Sequence, residues 1–463
     1  MVSVGRHSNI TLMSYSEVEK VSGYVGNFTV TVRRKPRYVN EELCTGCGTC
    51  IEKCPWKKIP SEFELGLGNR AAIYYPFAQA VPRVPVIDTA NCVYFKSGKC
   101  RACEKFCAAH AIDFNQTDQY IDLDVGAIIL ATGFHDFDPR TAPQYGYGRL
   151  QNVVTGMEME RLINTGGPTA GRVLLKNGEK PKKVAILHCV GSRGKQHEYC
   201  SRVCCMYSLK LATLVREYVD AEVIEFYRDM RAFGKNYEDF YQRAEKHGIQ
   251  FIRFDGDIRV EQHADRLAIL TTDVYTGRPV ETAVDMVVLA TGMEPQPDQH
   301  ALGARFGISR SPDGFFLERH PKLAPVETTT DGVFLAGACQ GPKDIPDTVA
   351  QGGAAAAAAL SMLDQGSVEL EPFTAFVAAE KCGACHTCEG LCPYSAISMV
   401  EWNGRQVAQV NEVLCKGCGA CVAACPAGAA TQYGFTNDQV LAEIEGILGS
   451  VGVRDLVPLQ EKA

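Results

Sequence analysis

No apolar run in this 463-residue sequence reaches the roughly 18 residues that a membrane-spanning helix needs. The first residues, MVSVGRHSNI, lack the apolar core of a secretory signal, so a cytoplasmic protein is expected. Basic residues are the minority: 47 Lys and Arg against 54 Asp and Glu leave a net charge of −7, which offers no basic face for nucleic acid. Neither a Ser–His–Asp set nor a catalytic pair of carboxylates is evident. The excess is in cysteine, with 21 residues. In a secreted chain these would form disulfides, but in a cytoplasmic one close spacings mean metal or redox chemistry. The length suffices for two to four domains with cores of their own.

The spacings are specific. Cys44, Cys47, Cys50 and Cys54, followed by Pro55, form C-x2-C-x2-C-x3-C-P, the bacterial ferredoxin run. Three cysteines on one tight loop cap three irons of a 4Fe–4S cubane, and the fourth ligates a second cluster. Cys92, Cys100, Cys103 and Cys107 repeat the run with a lengthened first gap and no Pro after Cys107. The swap assigns one cluster to Cys44, Cys47, Cys50 and Cys107, and the next to Cys54, Cys92, Cys100 and Cys103. Near the C-terminus the run recurs twice, each time followed by Pro. There the swap groups Cys382, Cys385, Cys388 and Cys425, and separately Cys415, Cys418, Cys421 and Cys392. Zinc also uses C-x2-C pairs, but it has no need of this four-cysteine cadence. Cys189, Cys200, Cys204 and Cys205 read C-x10-C-x3-C-C. On spacing alone they are equally ligands of a fifth cluster or buried thiols. Five sets of four leave Cys339, read as non-ligating.

Between the cysteine runs lie short Val/Ile-rich segments stopped by glycine, which read as buried strands. They are Asp124–Gly133 and Asp285–Gly292, both ending Ala-Thr-Gly, and Asp331–Gly337. They resemble the two-dinucleotide-domain flavoproteins of the thioredoxin reductase type, in which the last strand lies beside the flavin. There the following helix points its N-terminus at the isoalloxazine. Here Thr348–Leu360, with six consecutive alanines, is the expected helix and Asp347 its expected N-cap. The partial positive charge of that N-terminus would favour a reduced, anionic flavin. The resemblance makes Thr132, Gly133, Thr291, Gly292, Gly337, Ala338, Gln340, Asp344, Ile345 and Asp347 the expected flavin contacts. The second nucleotide domain opens at Lys183–Gly194 without G-x-G-x-x-G, so binding of NADH or NADPH is not expected. Arg228 and Arg231 could mimic a phosphate site, although surface arginines are commoner.

The order of parts is similar to the A-type subunit of heterodisulfide reductase and its bacterial relatives. Val4-Gly-Arg-His7, Lys35-Pro-Arg-Tyr-Val39, the Cys44 run, Cys189-Val-Gly-Ser-Arg193, Cys204-Cys205 and Gln340-Gly-Pro-Lys-Asp-Ile-Pro346 carry the likeness. It implies that C-x10-C-x3-C-C holds a 4Fe–4S cluster near FAD, giving five clusters in all. It also implies that the flavin can bifurcate electron pairs. The implied partners are other subunits of such a complex, and ferredoxin or a hydrogenase or dehydrogenase donor; a homodimer within the complex is a further expectation. It brings Lys210, on the helix after Cys205, to the flavin's reactive nitrogen; without it Lys210 reads as a solvated surface lysine. The family's front part, with its FAD pyrophosphate loop, is not present. Another polypeptide, a truncation, or a start assigned after a selenocysteine codon would each account for that.

The expected fold is α/β: a thioredoxin-reductase-like core with an inserted and a C-terminal α+β ferredoxin domain. The boundaries are 1–40 flavin-domain segment, 41–115 ferredoxin, 116–170 flavin domain, and 171–300 degenerate NAD-type domain with its cluster. Residues 301–368 complete the flavin domain, and 369–463 form the second ferredoxin and tail. The leading function is electron transfer between FAD and the clusters. The rival is a polyferredoxin-type electron wire whose flavin fold is vestigial.

Overall fold

The sheet that opens the fold is interrupted by a whole domain. In the computed structural model, which describes residues 2–450 except 196, 368, 370, 371 and 395, β1 (Ser16–Tyr24) and β2 (Asn27–Arg34) form an antiparallel hairpin. Only this part of the expected Asn9–Val32 region is strand; residues 9–15 are not. Phe28, Val30 and Val32 are buried on alternate positions of β2, the period-two pattern of a half-buried strand. The partner of β2 is β3 (Gln119–Val125), in register from Arg34 with Gln119 to Phe28 with Val125. The ends of the intervening segment are therefore side by side, the condition under which a domain inserts without disturbing its host. The insert has its own core of Val39, Ile59, Ile73, Val84, Ile87, Ile112 and Phe114 around its cysteines.

After β3 the chain breaks at Gly126 and resumes as β4 (Ile128–Leu130), so the expected run Asp124–Gly133 is two strands. A Cβ at Gly126 would sit 2.5 Å from Leu363 Cδ2, which explains the glycine. Next come β5 (Val153–Thr155) and α1 (Gly156–Ile163), the latter entered through a Thr155/Glu158 capping box. Then follow β6 (Lys183–Val190), α2 (Cys204–Leu214), β7 (Glu222–Tyr227), α3 (Tyr237–Lys246) and β8 (Gln250–Arg253). An antiparallel meander, β9 (Arg259–His263), β10 (Arg266–Thr272) and β11 (Pro279–Val284), precedes β12 (Met286–Thr291).

The central sheet is all parallel, in the order β5-β12-β6-β7-β8. Both faces are covered, which is why β6 and β12 are near-continuous apolar runs. Val184 and Ile186 of β6 pack with Leu209, Leu211 and Ala212 of α2. Ala185 and Leu187 pack with Val260, Leu267 and Ile269 of the meander.

The flavin-type segment closes with β13 (Val333–Leu335), parallel to β4, and with the long α4 (Ile345–Gln365). Helix α4 starts three residues before the expected position and its N-cap is Asp344, not Asp347: the Asp344 carboxylate accepts from Asp347 N at 2.9 Å. Pro346 suits the first turn, where its missing N–H is not needed, and that moves the cap upstream. The last module places a hairpin, β14 (Ile397–Trp402) and β15 (Arg405–Val410), between its two cysteine runs, and ends in α5 (Asn437–Ser450). The tail beyond residue 450 lies outside the described residues. Both ferredoxin modules are tied to the core by ion pairs: Arg161 to Glu64 through two 2.9 Å bonds, and Lys416 to Asp331.

Candidate functional site

The cysteines gather in the swapped sets rather than in sequence order. Cys54, Cys92, Cys100 and Cys103 line one cavity with Trp56, Ile73 and Ile87. The long gap between Cys92 and Cys100 is one extra helical segment, Val93–Ser97, closed by Gly98 in the left-handed conformation. The insertion therefore bulges away without displacing either thiol. Cys50 has Cys44, Cys107 and Cys47 as its thiol neighbours. In the last module Cys382, Cys385, Cys388 and Cys425 surround a cavity of about 260 Å³, and Cys392 joins Cys415, Cys418 and Cys421 around another.

Backbone donors are already aimed at the sulfurs. Ala111 N points to Cys107 Sγ, Ala396 N to Cys392 Sγ and Ala429 N to Cys425 Sγ, each at 3.3 Å. Cys107 shares this arrangement although no Pro follows it. Ala375 N adds a bond to Cys415 Sγ at 3.3 Å and Ala408 N one to Cys382 Sγ at 3.5 Å. Such donors favour thiolate over thiol. Burial acts the other way and pushes Cys50 up to about 11 and Cys103 to about 12. Bound iron reverses that balance, because a metal-coordinated thiol is deprotonated. Four sulfurs around one cavity, with backbone N–H donors on several of the sets, fit a 4Fe–4S cubane.

The fifth set is assembled from distant pieces. Cys189 sits at the end of β6 with φ +60°, and the ladder to β12 shifts register there. Gly191 turns the chain at φ +80°, with the Phe137 ring only 2.1 Å from where a Cβ would be. The loop brings Cys200, whose Sγ accepts from Arg202 N at 3.3 Å. Cys204 and Cys205 begin α2 and are almost fully buried, with Cys189 and Cys200 as neighbours. A dinucleotide enzyme would put its pyrophosphate at this helix N-terminus; here four sulfurs stand there. Cys189 also opens onto a cavity of about 1020 Å³ lined by Arg193, Lys195, Arg228 and Arg259. Arg228 donates to Arg193 O at 2.8 Å, whereas Arg231 is an exposed partner of Asp229.

The expected flavin contacts fall into two groups. Thr132, Gly133, Gly337, Ala338, Gln340, Asp344, Ile345 and Asp347 lie at the carboxyl ends of β4 and β13 and the start of α4. Thr132 Oγ1 is buried without a hydrogen-bond partner among the described residues. Gly133 has φ +73° with open space where a Cβ would be. Ile345 is 79% exposed at the tip of α4. An unpaired buried hydroxyl, an open glycine and an exposed helix start fit a flavin. Thr291 and Gly292 form the second group, at the end of β12: a Gly292 Cβ would meet Ser201 Oγ at 2.7 Å, and Thr291 O accepts from Tyr207 at 2.8 Å. Lys210 lies on the exposed side of α2, paired with Glu160 at 3.0 Å. Cys339 is fully buried and its thiol donates to Leu130 O and Ala336 O, each at 3.3 Å.

Sequence reasoning missed several residues here. Gln351 holds Gly337 N at 2.7 Å from within α4. Half-buried Lys343 reaches Gln340 at 3.0 Å, and burial lowers its pKa. Arg202 bridges the cluster loop to Asp347 at 2.9 Å. A buried pair, His188 and Glu225, lies behind Cys205. Its signal was a carboxylate inside the otherwise apolar Val223–Phe226 run.

A 4Fe-4S binding domain matches residues 37–57, a 4Fe-4S dicluster domain 381–429, and a pyridine nucleotide-disulphide oxidoreductase 86–356. A thioredoxin reductase structure from Lactococcus lactis aligns with 64% of this chain and 86% of its own, at 14% identity and TM-score 0.36. The A-type subunit of the H(2):CoB-CoM heterodisulfide,ferredoxin reductase of Methanothermobacter marburgensis is 49% identical, over 97% of this chain and 67% of its own length. The A-type iron-sulfur subunit of the CoB--CoM heterodisulfide reductase of Methanocaldococcus jannaschii is 47% identical, over 97% and 68%. With an oxidoreductase core, ferredoxin modules at both ends and relatives this similar over nearly its whole length, the chain belongs to the family of heterodisulfide reductase A-type subunits, which are iron–sulfur flavoproteins.

Proposed function

We propose that this chain distributes electrons within a heterodisulfide-reductase-like complex, with five 4Fe–4S clusters on the swapped cysteine sets and FAD at the start of α4. The observation that carries the reading is the grouping of the cysteines around separate cavities, with backbone N–H donors on the sulfurs. FAD supplies two-electron chemistry that can be split into single electrons, and the clusters supply one-electron steps. The chain's own residues bury the clusters and orient the sulfurs. The Asp344 cap fixes where α4 begins and so where its partial positive charge falls. Modules at opposite ends of the chain suit two different partners, a ferredoxin or a hydrogenase or dehydrogenase on one side and a disulfide-reducing subunit on the other. Bifurcation at the flavin belongs to the same proposal.

Lys210 would join this chemistry by exchanging Glu160 for the flavin, where its charge favours reduced, anionic states. The test is a flavin count and redox titration of anaerobically purified protein. FAD released by acid, together with altered flavin one-electron potentials in Lys210→Met at unchanged iron, supports the reading. Absence of flavin from the purified complex would leave an electron wire. Unchanged potentials with FAD bound would return Lys210 to the surface.

A further inference from the structure

His188 and Glu225 are the least expected polar residues in the central sheet. His188 lies on β6 one position before Cys189, and Glu225 on the neighbouring β7. Both side chains are completely buried, with His188 Nε2 2.9 Å from Glu225 Oε2. Alternation along the strands turns both toward the helix-covered face, the side on which Ile186 and Val223 pack with α2. Cys205, in the first turn of α2, is the thiol neighbour of the imidazole.

A simple strand clamp does not account for the pair. β6 and β7 are already joined by parallel ladder pairing from Lys183 with Glu222 to Leu187 with Phe226. The pair also leaves His188 Nδ1 and Glu225 Oε1 buried without hydrogen-bond partners among the described residues. Buried polar atoms of this kind are rare and call for an explanation.

Charge neutrality indicates what Nδ1 carries. A buried pair is neutral either as glutamate with imidazolium or as protonated glutamic acid with neutral imidazole. In the first state both ring nitrogens bear hydrogen. In the second the Glu225 hydroxyl donates to Nε2 and the ring hydrogen is on Nδ1. Either state presents an N–H at Nδ1. Cys205 as a free thiol contacts Asp229 O at 3.7 Å, but as a ligating thiolate it has no proton to give and only accepts.

We propose that the Glu225–His188 pair donates a hydrogen bond from His188 Nδ1 to the Cys205 sulfur, and so raises the reduction potential of the cluster held by Cys189, Cys200, Cys204 and Cys205. The inference rests on the ligand assignment made above. A hydrogen bond to a cluster sulfur stabilises the reduced form, which carries one more negative charge, and this is a recognised control on cluster potential. Among the bonds described, backbone N–H groups reach sulfurs of three ferredoxin-type sets, and the exposed Cys47 meets the Thr49 hydroxyl at 3.5 Å, so a buried imidazole donor sets this cluster apart.

The experiment is an anaerobic EPR redox titration of the full chain. The signal of this cluster is assigned by its loss in Cys204→Ser. His188→Leu is expected to keep its iron and to lower the reduced-to-oxidised ratio of this cluster about tenfold at fixed ambient potential, a shift of about 59 mV for one electron. His188→Gln, whose amide can donate, is expected to recover at least half of that shift. An unchanged potential in His188→Leu, or equal shifts in both variants, would overturn the proposal. A measurement on the unsubstituted sequence guards against a variant that does not fold. Protein labelled with 15N-histidine should show a nitrogen coupling to the reduced cluster in pulsed EPR, and its absence overturns the hydrogen bond. Unchanged iron in Cys204→Ser is a separate outcome: it removes the ligand assignment, and the proposal with it.

Discussion

In the C-terminal module, Cys382, Cys385 and Cys388 come from one loop, and only Cys425 reaches across from the neighbouring run. The Cys189 set draws its sulfurs from a strand end, a loop and the first turn of a helix. The first arrangement places a middle cysteine at the surface: Cys47, Cys385 and Cys418 are exposed. The second has no exposed cysteine, and its sulfurs are approached by the buried His188–Glu225 pair as well as by backbone. Local ligand loops can be moved between proteins as a unit. A ligand set spread over a parallel sheet depends on the sheet being formed first, and in exchange it leaves no thiol exposed.

The difference can be tested by stripping iron. A chelator acting on the oxidised protein should first empty the three sets that contain Cys47, Cys385 or Cys418, releasing roughly twelve of roughly twenty irons. The Cys189 set, and the Cys54 set, which also lacks an exposed cysteine, should follow later. Iron release in one phase would show that exposure of the ligands does not govern loss.

Backbone substitutions sharpen the same comparison. Gly191→Ala would press a Cβ into the Phe137 ring and strain a backbone at φ +80°. It should destabilise the core by ~3 kcal/mol in denaturant titration. Gly194→Ala, in the same loop with nothing within 4 Å, should stay within about 0.5 kcal/mol. At the start of α4 the expected effects are smaller. Asp344→Ala removes the α4 cap and should cost about 1 kcal/mol. Asp347→Ala breaks only an exposed pair with Arg202 and should cost about 0.5 kcal/mol or less. The reverse order would restore Asp347 as the cap.

The sequence was most readable where structure is local. The ferredoxin runs announce themselves because cubane geometry demands a fixed spacing on a tight loop, and the buried parallel strands do so because both faces are apolar. Positions that depend on distant contacts were harder to read. The split between β3 and β4 follows from the approach of Leu363 to Gly126, which no local pattern reveals. The α4 cap is Asp344 rather than Asp347 because Pro346 fits the first turn of the helix. Thr291-Gly292 repeats the letters of Thr132-Gly133 yet packs against Ser201 in the cluster loop. The same three-residue ending therefore meets two different surroundings, open space at Gly133 and the Ser201 side chain at Gly292. Lys210 illustrates the limit of helical position as a guide: its place on α2 is clear, but the group its ammonium meets, Glu160, comes from α1.

The proposed clusters number five, one on each set of four cysteines, including the set that spacing alone leaves open. Iron and acid-labile sulfide in the anaerobically reconstituted full chain, compared with Cys204→Ser, test it most directly. Roughly twenty irons per chain are expected, falling by roughly four in the variant while the ferredoxin signals persist. Eight or fewer irons in the unsubstituted chain, or an iron content that Cys204→Ser leaves unchanged, would contradict it.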